Sequence, residues 1–367
     1  MKMRAAVLEA VRSPLVTREV TLAPLKHNDV LVRMGASGFC HTDYEVIEGT
    51  LKRPFPIILG HEGAGVVQAV GGGVTKVRPG DHVVCSWNPA CGHCFYCDRG
   101  LKILCEPVAK WHVRGALTDG ESRLQLQNAP LNHFSMISSH AEFSIVPEAG
   151  AIRITKELPF DRACLIGCSV MTGYGAATRL APISAGSSVL VVGCGAVGLN
   201  VIQGAVKQEA EKIIAVDTDL RHLALAREFG ATLAIDATTS EAAERIREHT
   251  AGRGADYAFE AAGKAAAMRL AIEASRPGAH IVILGKIPVD ELISLKFGSL
   301  MGEKRIIRSS YGGADPEFDF PVIAEEYLRG RIKLDELVGR RLALDDINDA
   351  VQAVRANEPG RSVIIFD

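Results

Sequence analysis

Along the first 169 residues the apolar positions come in short runs. Residues 30–34 (Val-Leu-Val-Arg-Met), 65–70 and 82–86 are examples, each broken nearby by Gly or Pro. Runs this brief, rich in valine and so often punctuated, predict the strands of an irregular β-dominated domain. From about Ser187 the rhythm lengthens. Stretches at 189–192, 213–216, 257–260 and 280–284 read as buried strands, and segments such as 220–229 and 241–249 between them carry apolar residues at helical spacing. That alternation predicts a parallel sheet covered by helices. From about Tyr311 mixed elements return and end at 361–366 as a final strand, expected to rejoin the first domain. The chain of 367 residues exceeds one ordinary core. The expected organisation is therefore 1–169 with 311–367 as one domain and 170–310 as the other. No internal repeat or low-complexity linker interrupts it.

Charge and composition narrow the function classes. Hydrophobic residues make up 47% and charged residues 23%, with 41 basic against 43 acidic side chains. With no basic surplus to displace counterions from phosphates, nucleic acid is not an expected partner. The N-terminus lacks an apolar stretch with a cleavage site, and the uncharged run 163–178 is too short and too glycine-interrupted to span a bilayer. No membrane association is expected, and a cytoplasmic location follows by default. In a reducing compartment the nine cysteines read as metal ligands before disulfides.

The predicted strand at 187–192 runs directly into Gly193-Cys194-Gly195-Ala196-Val197-Gly198, and a helical segment follows. In such a turn the first glycine permits the bend, the second admits a pyrophosphate, and the third lets helix and strand pack closely. The helix N-terminus offers unpaired amides to the phosphates. Asp217 ends the next strand, 19 residues after Gly198. A carboxylate there accepts bonds from the adenosine ribose and repels a 2′-phosphate, which favours NAD over NADP. Arg221 and His222 close behind it leave room for some NADP. A packing turn without a ligand is the alternative.

Cys91, Cys94, Cys97 and Cys105 are spaced C-x2-C-x2-C-x7-C. Four thiolates on one loop can close a tetrahedron round zinc and leave no position for substrate, as a structural site does. A redox disulfide would explain two of these cysteines but not four. A second set is dispersed: Cys40 with Thr42 and Asp43, then His61 and Glu62, then Cys168. Singly, a cysteine is usually a small core residue and a histidine a satisfied polar group. Together they offer two thiolates and an imidazole, the three-ligand set of an open catalytic zinc. Cys85, Cys164 and Cys194 read as packing residues.

With these motifs in place the chain resembles, end to end, the zinc-containing medium-chain dehydrogenase/reductase family, and within it the long-insert alcohol dehydrogenases. The likeness runs through Gly60-His61-Glu62-Gly63-Ala64-Gly65, the four-cysteine loop, residues 118–123, Gly167-Cys168 with Thr172-Gly173, the glycine turn and Arg361. It implies a GroES-like β-rich catalytic domain beside a Rossmann domain. By the resemblance, Cys40, His61 and Cys168 hold a catalytic zinc, and Cys91, Cys94, Cys97 and Cys105 a structural one. Glu62 is the carboxylate near the metal, and Asp43 the acid that orients the histidine ligand. His41 and Arg361 face the cofactor pyrophosphate, while Thr172 and Val197 back the nicotinamide. Leu51, Trp87, Lys110 and Phe134 line the substrate pocket. A homodimer or homotetramer built through the cofactor domains is implied as well.

The reaction these parts imply is reversible hydride transfer between NAD and a primary alcohol, with an aromatic one suggested by Trp87 and Phe134. Thr42 would carry the alcohol proton first. Many relatives complete the relay with a histidine three residues on, where this chain has Glu45. Glu45 or water then takes the proton, unless Glu45 is only a solvated surface side chain. Lys110 either attracts an acidic group or reaches solvent. The alternatives are a thiol-dependent formaldehyde dehydrogenase acting on a hydroxymethyl-thiol adduct and, from another class, a non-catalytic NAD- or zinc-binding redox sensor. A polyol dehydrogenase fits the four-cysteine loop and residues 106–140 less well, and a nucleic-acid zinc ribbon lacks the charge.

Overall fold

The computed structural model describes residues 1–239 and 241–367. It separates into two compact units, Met1–Cys168 with Asp315–Asp367, and Ser169–Ala314. Among the described residues no helix is long and apolar enough to cross a membrane.

The first unit is β-dominated. A small closed barrel joins Lys2–Leu8, Val16–Leu22, Leu124–Leu126, Ala129–His133 and Ile57–Ile58. Its interior is filled by Val7, Val20, Leu22, Ile58, Leu124 and Leu131, inward-facing residues of strands whose other face is wetter. The second sheet is ordered Ala151–Ile154, His82–Cys85, Glu62–Val70, Asp29–Gly38, Arg361–Ile365, Val338–Leu342, with Phe143–Pro147 also paired to Asp29–Gly38. Asp29–Gly38 is its axis, and two registers at its end matter for function. Gly38 pairs with Glu62 on one side and with Val363 on the other. The chain segments that follow Gly38, precede Glu62 and open the last strand are thereby drawn to one spot. The last strand can do this because the tail beginning at Asp315 belongs to the first unit.

The second unit is an all-parallel sheet ordered Leu233–Asp236, Lys212–Asp217, Ser188–Val192, Ala255–Glu260, Ser275–Ile283, Arg305–Arg308. Val189 to Val192 are nearly inaccessible to solvent, as befits a central strand covered on both faces. Chain order reverses direction on either side of this strand, so its C-terminal end opens the crevice where doubly wound folds take ligands. Two strands escaped the sequence reading. Each is only four residues long, and Arg305–Arg308 is an edge strand exposed throughout, so the apolar run in each is too short to mark a strand. The strand read at 280–284 begins at Ser275, because Pro277 and Gly278 interrupt its apolar pattern. Residues 311–314 lie in the second unit, with Gly312 packed against the backbone of Thr172 and Ala176.

Candidate metal and cofactor sites

Cys40 stands where the strand Asp29–Gly38 hands over to the helix His41–Glu48. It caps that helix, and Asp43 folds back so that its Oδ2 accepts the Cys40 amide at 2.8 Å. Asp43 Oδ1 accepts the Gly60 amide at 3.0 Å and lies 3.3 Å from His61 Nδ1. A carboxylate cannot donate, so Nδ1 carries a proton toward Asp43 and Nε2 is the nitrogen left to serve a metal. Cys168 arrives on a π-helical turn, Ile166–Val170, a local widening frequent at functional sites.

The ligand atoms of Cys40, His61, Glu62 and Cys168 all lie within 4.8 Å of one another. The Cys168 thiol hydrogen-bonds Cys40 and, with Arg361 and His61, outweighs burial to hold Cys40 well below the usual thiol range. The same contact, together with burial, holds Cys168 well above it. Burial disfavours a charged imidazole, yet Asp43 and the Cys40 thiolate outweigh it and lift His61 to about 10. Burial pushes Glu62 up to about 7 against the pull of Arg361. Arg361 Nε is 3.3 Å from Glu62 Oε2, close enough for an ion pair but not aligned for a hydrogen bond. Both Glu62 oxygens are buried without a hydrogen-bond donor. A pocket of two sulfurs, an imidazole nitrogen and a carboxylate without a hydrogen-bond donor fits a divalent cation that prefers S and N donors, which is zinc.

Sγ atoms of Cys91, Cys94, Cys97 and Cys105 form the second group within 4.8 Å of one another. Tight turns at Cys97–Arg99 and Lys102–Leu104 fold the loop back on itself, and the Cys91 amide donates to Cys105 Sγ at 3.2 Å. Backbone hydrogen bonds, that of Glu106 first, bring Cys94 down to about 6, whereas burial pushes Cys105 up to about 12. Four sulfurs, with no fifth donor grouped with them among the described residues, fit a closed tetrahedral zinc. Cys85, Cys164 and Cys194 are fully buried, and burial raises each thiol.

In the second unit Gly193 has φ +95°, and a Cβ there would stand 2.5 Å from the Ala262 amide nitrogen. A Cβ on Gly198 would strike the Gly193 carbonyl, while one on Gly195 would meet open space. This is a cradle with its floor closed and its mouth open, which fits a pyrophosphate. Ala196 and Val197 begin the helix Ala196–Lys207 above it, and Thr172 lies on Met171–Gly175, which packs through Gly173 against the Val197 carbonyl. Asp217 accepts the Cys194 amide at 2.6 Å and the Asp219 amide at 3.0 Å. His222 Nδ1 lies 3.6 Å from it, and Arg221 is occupied by Asp219 at 2.6 Å.

With that geometry, residues 26–156 match the alcohol dehydrogenase GroES-like domain and residues 196–325 the zinc-binding dehydrogenase domain. An S-(hydroxymethyl)glutathione dehydrogenase of Aspergillus oryzae is 36% identical, over 99% of this chain and 96% of its own. The chain belongs to the zinc-dependent medium-chain dehydrogenase/reductase family. An S-(hydroxymethyl)glutathione dehydrogenase of Escherichia coli O1:K1 is 37% identical over the whole of both chains. Among solved structures, the benzyl alcohol dehydrogenase of Acinetobacter calcoaceticus superposes with a TM-score of 0.95 at 29% identity, covering 100% of each chain. This dehydrogenase is thus an oxidoreductase acting on alcohols, with zinc and a nicotinamide cofactor.

Arg361 has its guanidinium buried against Glu62. Lys110 is exposed, with its ammonium 4.5 Å from the Trp111 ring, in keeping with the solvent-reaching alternative. Of the other pocket residues, Phe134 is fully buried and meets His61 edge-on at 5.6 Å. Leu51 is half-buried against the cluster that contains Phe134. Trp87 lies 6.5 Å from His112, ring to ring. Thr42 and Glu45 are half-buried and His41 exposed, its ring 5.7 Å from Tyr44. Sequence reasoning missed Arg53 and His112, which stand in no motif, and His140, whose Nε2 is 3.9 Å from Asp43.

Proposed function

We propose that this dehydrogenase oxidises primary alcohols of aromatic or similar apolar body with NAD, using Cys40, His61 and Cys168 as the ligands of a catalytic zinc. The observation that carries this reading is the buried cluster of two cysteines, a histidine and a carboxylate without a hydrogen-bond donor within 4.8 Å. When bound there, zinc supplies Lewis acidity toward the substrate oxygen, and NAD supplies the hydride acceptor.

The residues themselves do the following. Asp43 holds the His61 ring and its tautomer, so Nε2 points at the ligand position. Cys40, already held as a thiolate, would be the first anionic ligand, while Cys168 and His61 Nε2 would each have to release a proton for a metal to bind. Glu62 balances Arg361 and stays close without needing to ligate. The Thr42 hydroxyl accepts the proton of the substrate hydroxyl and passes its own on. Glu45, three residues further along the same helix, lies on the face to receive it. Cys91, Cys94, Cys97 and Cys105 hold a second zinc that folds their loop and takes no part in the chemistry. Gly193, Gly195 and Gly198 seat the pyrophosphate, and Asp217 selects NAD.

Trp87 and Phe134, with the likeness to a benzyl alcohol dehydrogenase, support the aromatic class. The likeness to two S-(hydroxymethyl)glutathione dehydrogenases favours one second reading, a hydroxymethyl-thiol adduct. A homo-oligomer is part of the proposal. The edge strand Arg305–Arg308 exposes Ile306 and Ile307, and Phe297 and Met301 nearby in the chain are exposed too, an edge that soluble proteins ordinarily cover. A cytoplasmic location is also proposed. The test follows absorbance at 340 nm with NAD and NADP in parallel, over benzyl alcohol, ethanol, and formaldehyde with and without thiol. NAD-dependent turnover of benzyl alcohol is expected. Turnover of none by protein carrying both zincs would make the chain a sensor.

A further inference from the structure

Beside the proposed substrate wall lies a cation that no motif announces. Arg53 is half-buried, with its Nη2 3.2 Å from His112 Nε2 and its Nη1 donating to the Lys52 carbonyl at 2.7 Å. Its Nε is shielded from solvent and has no hydrogen-bond partner. Among the described residues no carboxylate pairs with it; Glu45 acts only through space, and burial lowers its pKa. A guanidinium that has given up water without gaining an anion is poorly compensated.

His112 does not compensate it either. A guanidinium only donates, so Nε2 is the acceptor and the ring proton sits on Nδ1. Ser135 Oγ is 3.2 Å from the same Nε2. The imidazole is thus held neutral and oriented next to the cation. Around the pair stand rings: Phe134 lies 6.3 Å from His112, and its centroid is 5.9 Å from Arg53 Cζ. The same Phe134 ring meets His61 at 5.6 Å. The Phe134 ring thus lies within 5.9 Å of both the unpaired cation and the metal-ligating imidazole.

Resting on the dehydrogenase reading above, we propose that the substrate carries a carboxylate, bound by Arg53 beside His112. Its apolar body lies along Phe134 and its hydroxyl at the Cys40–His61–Cys168 cluster. Arg53 presents two faces of donors in a fixed plane, which suits a carboxylate better than a neutral polar group. The substrate class is hydroxymethyl-bearing aromatic acids or a carboxylate-bearing hydroxymethyl-thiol adduct; both present the same anion.

The experiment uses the zinc-loaded protein and NAD with 3- and 4-(hydroxymethyl)benzoate, each against its amide, which matches it in size but carries no charge. The acids are expected to show kcat/KM at least 10-fold above the amides, chiefly through KM, with the preference shrinking as salt rises. In Arg53→Gln the acid-to-amide ratio falls to about one, and Arg53→Lys keeps part of it. Calorimetric titration with 4-(hydroxymethyl)benzoate, a readout independent of turnover, is expected to give at least 10-fold weaker binding to Arg53→Gln. If formaldehyde with glutathione outpaces both benzoates and loses its advantage in Arg53→Gln, the carboxylate belongs to the thiol adduct. Turnover of acids and amides alike would overturn the carboxylate site and leave the dehydrogenase intact. Arg53-dependent binding without turnover of any alcohol would support the site and count against the dehydrogenase reading. Should Arg53→Gln not fold, the acid–amide comparison in the unaltered protein decides.

Discussion

His61 is suited to hold a metal because its other nitrogen is already engaged. Asp43 accepts a hydrogen bond from Nδ1–H and is itself fixed by the amides of Cys40 and Gly60. Replacing Asp43 with Asn leaves the shape but allows the amide to present its NH2 to Nδ1, which permits the other tautomer. We expect Asp43→Asn to weaken zinc binding by roughly 10–100-fold, as loss of such supporting acids does, measured by competition with a chelator. His61→Ala should leave one zinc per chain by elemental analysis and abolish alcohol oxidation. Retention of both zincs with normal rates would remove His61 from the ligand set. Asp217 is also a matter of single atoms. Its carboxylate is braced by two amides at the end of Lys212–Asp217. Asp217→Gly should move the ratio of NADP to NAD efficiency upward by at least about 10-fold, since the repulsion of a 2′-phosphate is gone.

At the scale of elements, the four-cysteine loop buries little of its own apolar surface. Phe95, Leu101 and Leu104 are exposed, and its turns depend on four sulfurs meeting. Such a loop is held by its metal. Cys97→Ser should lose one zinc per chain, lower Tm and open residues 91–105 to proteases, while the catalytic zinc stays. A protein that kept both metals and its protease resistance would show that another donor closes the site. The glycine turn, by contrast, is held by backbone geometry. Gly193→Ala places a side chain at φ +95° and 2.5 Å from Ala262. We expect a cost of about 1–3 kcal/mol, read as a lower denaturation midpoint and a raised KM for NAD.

For the whole molecule, the buried histidines set the acid limit. Burial, and then Arg123, push His133 down to about 3 from an ordinary value of 6.5, and the Arg123 amide donates to its Nε2. The folded state therefore refuses a proton that the unfolded chain takes. Stability from this site is complete above about pH 6.5 and drains away as pH falls toward about 3. One such proton costs about 1.4 kcal/mol per pH unit across that window. Urea midpoints measured from pH 7 to 4 should fall, and His133→Gln should flatten the slope. An unchanged slope would place the acid sensitivity elsewhere, for instance at His140, which burial brings to about 4.

How much of this was readable from one dimension follows from where each interaction lies along the chain. The four-cysteine loop and the glycine turn were legible because their geometry is local. Ligands a few residues apart must be neighbours, and a strand followed by three spaced glycines and a helix has few ways to fold. The long strand–helix rhythm likewise announced a parallel sheet. The catalytic cluster was another matter. Cys40, His61, Cys168 and Arg361 are gathered by pairing of Gly38 with Glu62 and Val363 and by a π-helical turn, and nothing in their spacing encodes that register. The three ligands could be grouped only by their residue types, and Arg361 joined them only through the resemblance. Arg53 beside His112 and Arg361 turned onto Glu62 were settled by which charges lost water and which partner stood nearest. Burial is a property of the folded chain, so those choices belong to the tertiary structure alone.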